Sequence, residues 1–199
     1  AVSIISRATE INAALHAKDL SVIVGTNRVT AEGQVNQRQG EGEAPKVAVA
    51  TGALGGMDAA RIRLVSSEKG LGVNLGNLHA RQGDITLDAN GKLTVKSSLA
   101  SGAISIKGQD VALSGDHKAE ENLSVYSQSD IALTDSSLVS DKNLQLTAQG
   151  KPEQKGGTLT AGRDVALAAS DITQQRAAQI DAARNVSLTG RNSVATQGR

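Results

Sequence analysis

The sequence predicts an all-β chain wound as a right-handed parallel β-helix, with about 20 residues and three short strands per coil. Three observations predict it. First, a pattern of polar or Gly, Asp or Asn, apolar, any, apolar recurs at 83–87 (GDITL), 102–106 (GAISI, with Ala in the second place), 121–125, 142–146, 163–167 and 184–188. Its first apolar residues are Ile85, Ile104, Leu123, Leu144, Val165 and Val186, at steps of 19, 19, 21, 21 and 21. Second, two more apolar series interleave with it: Leu138, Leu159 and Ile180, and then Leu93, Val111, Ile131, Ile172 and Val194. The step from Ile131 to Ile172 is 41, two periods. Third, the chain of 199 residues has no Phe, Trp or Cys, and Tyr126 is its only aromatic. Its core must be built from Ala, Val, Ile and Leu, which suit a narrow interior of stacked layers.

The elements follow in order. Residues 18–25 (KDLSVIVG) form a strand with Leu20, Val22 and Val24 on one face. Residues 26–45 are polar and Gly-containing, and read as an extrahelical hairpin or mobile loop. A strand (KVAVAT) starts at Lys46; Gly55 and Gly56 suit a tight corner, and Met57 an irregular core gap. RIRLVS (61–66) points Ile62 and Leu64 inward, and SSEKGLGVN turns into a strand with Val73 inward and Asn74 near a corner. The regular coils follow, with Val165 and Leu167 inside and Ala166 outside. In 150–157 (GKPEQKGG), Pro152 and the charges suggest a looped-out or frayed corner. Stacked at about 4.8 Å, roughly ten coils would give a rod about 45 Å long. Parallel crossovers favour the right hand.

Few residues suggest chemistry. Asp84, Asp110, Asp130, Asn143, Asp164, Asp171 and Asn185 recur just before strands, where Asx side chains cap turns; that structural role outweighs a catalytic one. Arg61, Arg63, Lys69 and Arg81 are the only local basic grouping, a candidate glycan or anion contact beside the plainer reading of solvated strand faces. His16, His79 and His117 lack metal-ligand spacing and read as solvent-exposed at strand ends. No phosphate-loop, calcium-nonapeptide or nucleophile-elbow motif occurs. Lys and Arg total 21 against 20 Asp and Glu, which leaves no basic footprint for nucleic acid. No apolar run is long enough for a membrane-spanning helix. No catalytic, cofactor or metal residue is assigned.

Residues 8–95 contain INAALHAKDLSVIVGTNRV and then ALGGMDAARIRLVSSEKGLGVNLGNLHARQGDITLDANGKL. This segment resembles the filamentous haemagglutinins and contact-dependent growth inhibition exoproteins of Gram-negative two-partner secretion. Residues 1–95 look like the end of their secretion domain, with the excursion at 26–45, and 96–199 like the haemagglutinin repeats that continue it. Asp58 stands where the family usually has an aromatic after ALGGM, and the family's Asn-Pro-Asn segments are missing. This stretch is therefore not expected to hold the full secretion signal, and its opening at Ala1 reads as a cut from a longer chain.

The resemblance implies a structural and adhesive segment of a large exported surface filament, serving bacterial adhesion or contact-dependent growth inhibition. It implies export through periplasm and outer membrane by a two-partner transporter, and contact with a receptor or glycan on a host cell or neighbouring bacterium. The absence of Cys has two readings, chance in a cytosolic protein or avoidance of disulfides on a route through the oxidising periplasm, and the count alone does not choose between them. The alternative is a carbohydrate-active β-helix, a polysaccharide lyase or hydrolase. That would need converging carboxylates, which Asp110, Asp130 and Asp171 could supply if they stacked at one edge.

Overall fold

The computed structural model describes residues 2–6, 9–11, 15–24, 27–29, 35–37, 47–51, 56–175 and 179–196, with side-chain surroundings for 21, 59–171 and 179–192. Every regular element among them is a strand. Eighteen strands form one sheet in which all pairings are parallel, and two form a separate antiparallel pair. The sheet winds as a β-solenoid of about six regular turns, about 21 residues each.

The first apolar series is a column. Ile62 pairs with Ile85, Ile85 with Ile104, Ile104 with Leu123, Leu123 with Leu144, Leu144 with Val165 and Val165 with Val186. Below it, Leu20 pairs with Ile62 and Val2 with Leu20. This is face 1. On face 2, Val73, Leu93, Val111 and Ile131 stack in register. On face 3, Leu138, Leu159 and Ile180 do the same. The hydrophobic cluster of the interior is made of Ala, Val, Ile and Leu, from Ala59 to Ala169. Val165 and Leu167 are buried and Ala166 is not, as the two-residue period of a strand requires.

Small residues line the positions where the chain turns out of face 3. Ala80, Ala100, Ala119, Ser140, Ala161 and Ala182 stack on one another. Small side chains there suit the close approach of the chain as it turns into the incoming face 1. The corner between faces 2 and 3 needs left-handed backbone: Gly115 has φ 70° and Asp135 has φ 46°. A Cβ on Gly115 would lie 2.3 Å from the Lys96 carbonyl oxygen, so only Gly fits there. Asp135 is the kind of residue that tolerates this conformation without being Gly.

Two segments differ in outcome. The polar stretch after Val24 includes an antiparallel hairpin, Asn27–Val29 with Val35–Gln37, outside the main sheet. That excursion takes up about one coil's length, so fewer coils stack than the chain length alone suggests. The segment around Pro152, expected as a looped-out corner, is instead an in-register strand, Pro152–Lys155. It pairs with Ile131 to Thr134 below and with Thr173 to Gln175 above. Pro152 is buried and fills the missing place in the face 2 series. As the first residue of its strand it is tolerated, at the cost of one rung. Val111 and Ile131 donate their N–H groups to Asp130 and Lys151 carbonyls in the coil above, at 3.1 and 2.9 Å; Pro152 has no N–H to give. Gly55 and the Met57 side chain lie outside the described residues.

Candidate functional site

Among the described residues the outer surface offers two polar ladders, the basic group expected from the sequence, and shallow clefts, one polar and one mainly apolar. The Asx residues divide between two corners. Before face 1, Asp84 Oδ1 accepts from the Ala103 N–H at 2.8 Å, Asn143 Oδ1 from Asp164 at 3.2 Å, and Asp164 Oδ1 from Asn185 at 3.2 Å. Asn122 does the same for Asn143 at 3.1 Å, although its identity was not singled out in the sequence. Ala103 interrupts this ladder because it has no oxygen to offer. Before face 2, Asp130 Oδ1 accepts from Lys151 N–H at 2.9 Å and Asp110 Oδ1 approaches Asp130 N–H at 3.4 Å. In every case the side chain of one coil receives a backbone hydrogen from the next coil. Asp171 sits inside the strand Val165–Gln175, opposite Ser193.

The carboxylates do not converge. Lys151 stands between Asp130 and Asp171 on the face 2 edge, so these three Asp never form a contiguous stack. Among the described residues no group of three or more His, Asp or Glu could hold a metal ion. The polar cleft between faces 1 and 2, about 260 Å³, is lined by Ser66, Asn90, Lys107, Gln109 and Gln128, and Asp88 is its only carboxylate. A glycosidase pair needs two. Beside it the chain's one aromatic, Tyr126, lies 5.6 Å from the Lys107 ammonium.

Arg61, Arg63, Lys69 and Arg81 are all exposed. Arg81 follows the third-face strand and donates its N–H to Ala59 O, so it sits beside Arg61 at the corner entering face 1. Arg63 is one pair further along the same strand. Lys69 lies beyond the far end of face 1, next to Gly70, which donates to Asn90 O. Three of the four thus share a corner and Lys69 does not.

The histidines correct an expectation. His79 is half-buried, and the His16 side chain lies outside the described residues. His117, expected at the surface, is 0% exposed. It occupies the face 3 column between Ser98 and Leu138. Its Nδ1 is 2.6 Å from Ser98 Oγ and its Nε2 2.9 Å from Ser114 O. Burial holds its pKa below the ordinary histidine range, against the opposing pull of the Ser114 carbonyl and the Asp116 carboxylate. The signal was in the sequence: stepping back one 21-residue period from Leu138 lands on His117.

The haemagglutinin repeat family matches residues 7–134 and 97–199. The chain belongs to the haemagglutinin repeat family. Among curated relatives of this haemagglutinin-repeat chain, a protein of Escherichia coli strain NC101 named tRNA nuclease CdiA is 67% identical over 143 residues, 72% of this chain and 4% of the relative. A 16S rRNA endonuclease CdiA of Enterobacter cloacae subsp. cloacae is 60% identical over 156 residues, 78% of this chain and 5% of the relative. A Toxin CdiA of Yersinia pestis is 39% identical over 101 residues, 49% of this chain and 3% of the relative. The chain spans about a twentieth of the length of the first relatives. No solved structure matches it. What is matched is the haemagglutinin-repeat region. Among the described residues no helix is long and apolar enough to cross a membrane.

Proposed function

We propose that this chain is a stalk segment of a contact-dependent inhibition exoprotein, exported to the surface of a Gram-negative bacterium. The carrying observation is the unbroken register of face 1 from Ile62 to Val186. Such a one-dimensional stack transmits position along its axis, and any coil can be added without changing its neighbours. In this reading the nuclease activities in the relatives' names belong to other parts of those proteins, and this segment does no chemistry. Its partners are an outer-membrane two-partner transporter during export and, through the filament it extends, a receptor on another cell. Residues 1–95 serve as the end of the secretion-linked section and 96–199 as repeats. Asp84, Asp130, Asn143 and Asp164 tie coil to coil, a structural role supported by their hydrogen bonds to the next coil.

The test uses the full exoprotein. Removing two whole coils, residues 123–164, keeps every column in register and should preserve surface display and growth inhibition. Removing half a coil should abolish display. Lost inhibition with display intact would sink the scaffold reading, as would cleavage of tRNA or polysaccharide by the purified chain.

A second reading, an anion contact, is favoured by the corner that Arg61, Arg63 and Arg81 share. Heparin binding that weakens with salt and is lost in a triple alanine variant would support it.

A further inference from the structure

His117 is the one buried titratable side chain among the described residues, and its two hydrogen bonds fix which nitrogen carries the hydrogen while the ring is neutral. A carbonyl can only accept, so Nε2, at 2.9 Å from Ser114 O, carries hydrogen. On a neutral ring Nδ1 is then a bare acceptor, and the Ser98 hydroxyl donates to it at 2.6 Å. All three polar groups are satisfied only while the ring is neutral. A second ring proton at Nδ1 would point at Ser98 Oγ, and the hydroxyl would have to turn its own hydrogen away. The next residues in the column are Leu78 and Leu138, whose side chains accept nothing.

We propose that the Ser98–His117 pair is an acid-sensitive joint in the solenoid: it holds face 3 closed while the imidazole is neutral and releases it when the ring is protonated.

The one opposite charge that acts on the imidazolium is Asp116, and burial of the ring outweighs it. The strand carrying His117 presents Asp110, Asp116 and Lys118, and the strand after it in the stack presents Asp135. The strand before it presents Lys92 and Lys96. The two strands packed across the interior present Lys107 and Tyr126. Every one of these side chains is exposed or half-buried, none lies in the core, and among them only the Asp116 charge is felt at the ring. The direction follows. The folded ring binds its proton less tightly than a free histidine, so the opened chain binds more protons below about pH 6.5. Stability of face 3 is complete above that value and falls as the pH drops from it towards the lowered value in the fold.

Amide hydrogen exchange on the whole chain, corrected for intrinsic rates, tests this on either side of the histidine range. Protection at 98–100, 117–119 and 138–140 should fall on acidification, by at most about tenfold per pH unit, the slope of a single proton. Protection at 144–148 on face 1 should not follow. The variant Ser98→Ala/His117→Leu, which continues the aliphatic column of Leu138 and Leu159, should abolish the pH dependence. Equal protection at both pH values in the natural chain would overturn the proposal, as would acid sensitivity that persists in the variant. Ring nitrogen NMR of the natural chain reads the same question without mutation: an ordinary titration with no change in exchange would also overturn it.

Discussion

Face 1 and face 3 of one solenoid keep their columns by different physics. Face 1 stacks Ile62, Ile85, Ile104, Leu123, Leu144 and Val165, each at 0 or 1% exposure. Its attraction is dispersion and water exclusion, which have no direction, so one aliphatic residue serves as well as another. Face 3 stacks Leu78, Ser98, His117, Leu138 and Leu159. Its middle is held by directional bonds in which each partner satisfies the other. The first column tolerates exchange of residues; the second tolerates only exchange of the pair.

The sharpest break in this contrast is Leu144→Asp, which puts a carboxylate into the fully apolar column. It should cost about 4 kcal/mol or more, and unfolding in denaturant would measure it. In the full exoprotein it should stall secretion, if coil-on-coil stacking helps draw the chain outward; unchanged secretion would refute that role. A smaller loss, about 1–3 kcal/mol, is expected for Ser98→Ala, which leaves His117 Nδ1 buried without a donor. The double variant Ser98→Ala/His117→Leu should recover most of it, and the four stabilities of the cycle give the coupling. Removing a rung of the Asx ladder by Asn143→Ala should cost about 1 kcal/mol, since a single hydrogen bond at the rim is lost. Least of all is expected from Lys142→Ala. Its ion pair with Glu121 is 39% and 47% exposed on its two sides, and pairs of that kind contribute about 0–1 kcal/mol.

The columns were legible in the sequence because face 1 and face 3 repeat at nearly constant spacing, and each step became a pairing in the sheet. Proline breaks strands locally, so Pro152 reads in the sequence as a looped-out corner, whereas the coils below and above it supply register from 21 and 20 residues away. The Asx residues were visible as types, but their partners were not. Their hydrogen bonds span 19 to 21 residues, so the usual local turn logic does not find them. By polarity alone His117 reads as a surface residue; its place in the third-face series outranks its chemistry.

Pro152 has a mechanical consequence. A rod pulled from its two ends carries the same tension across every coil-to-coil seam, as links do in a chain. Its strength is then set by the seam with the fewest bonds, not by the average. On face 2 the seam above Pro152 lacks the bond that Val111 and Ile131 make to the coils above them. Under tension along the rod, the seam between Pro152–Lys155 and the coil beginning at residue 165 is one bond poorer on face 2 than the two seams below it, and is expected to part before them.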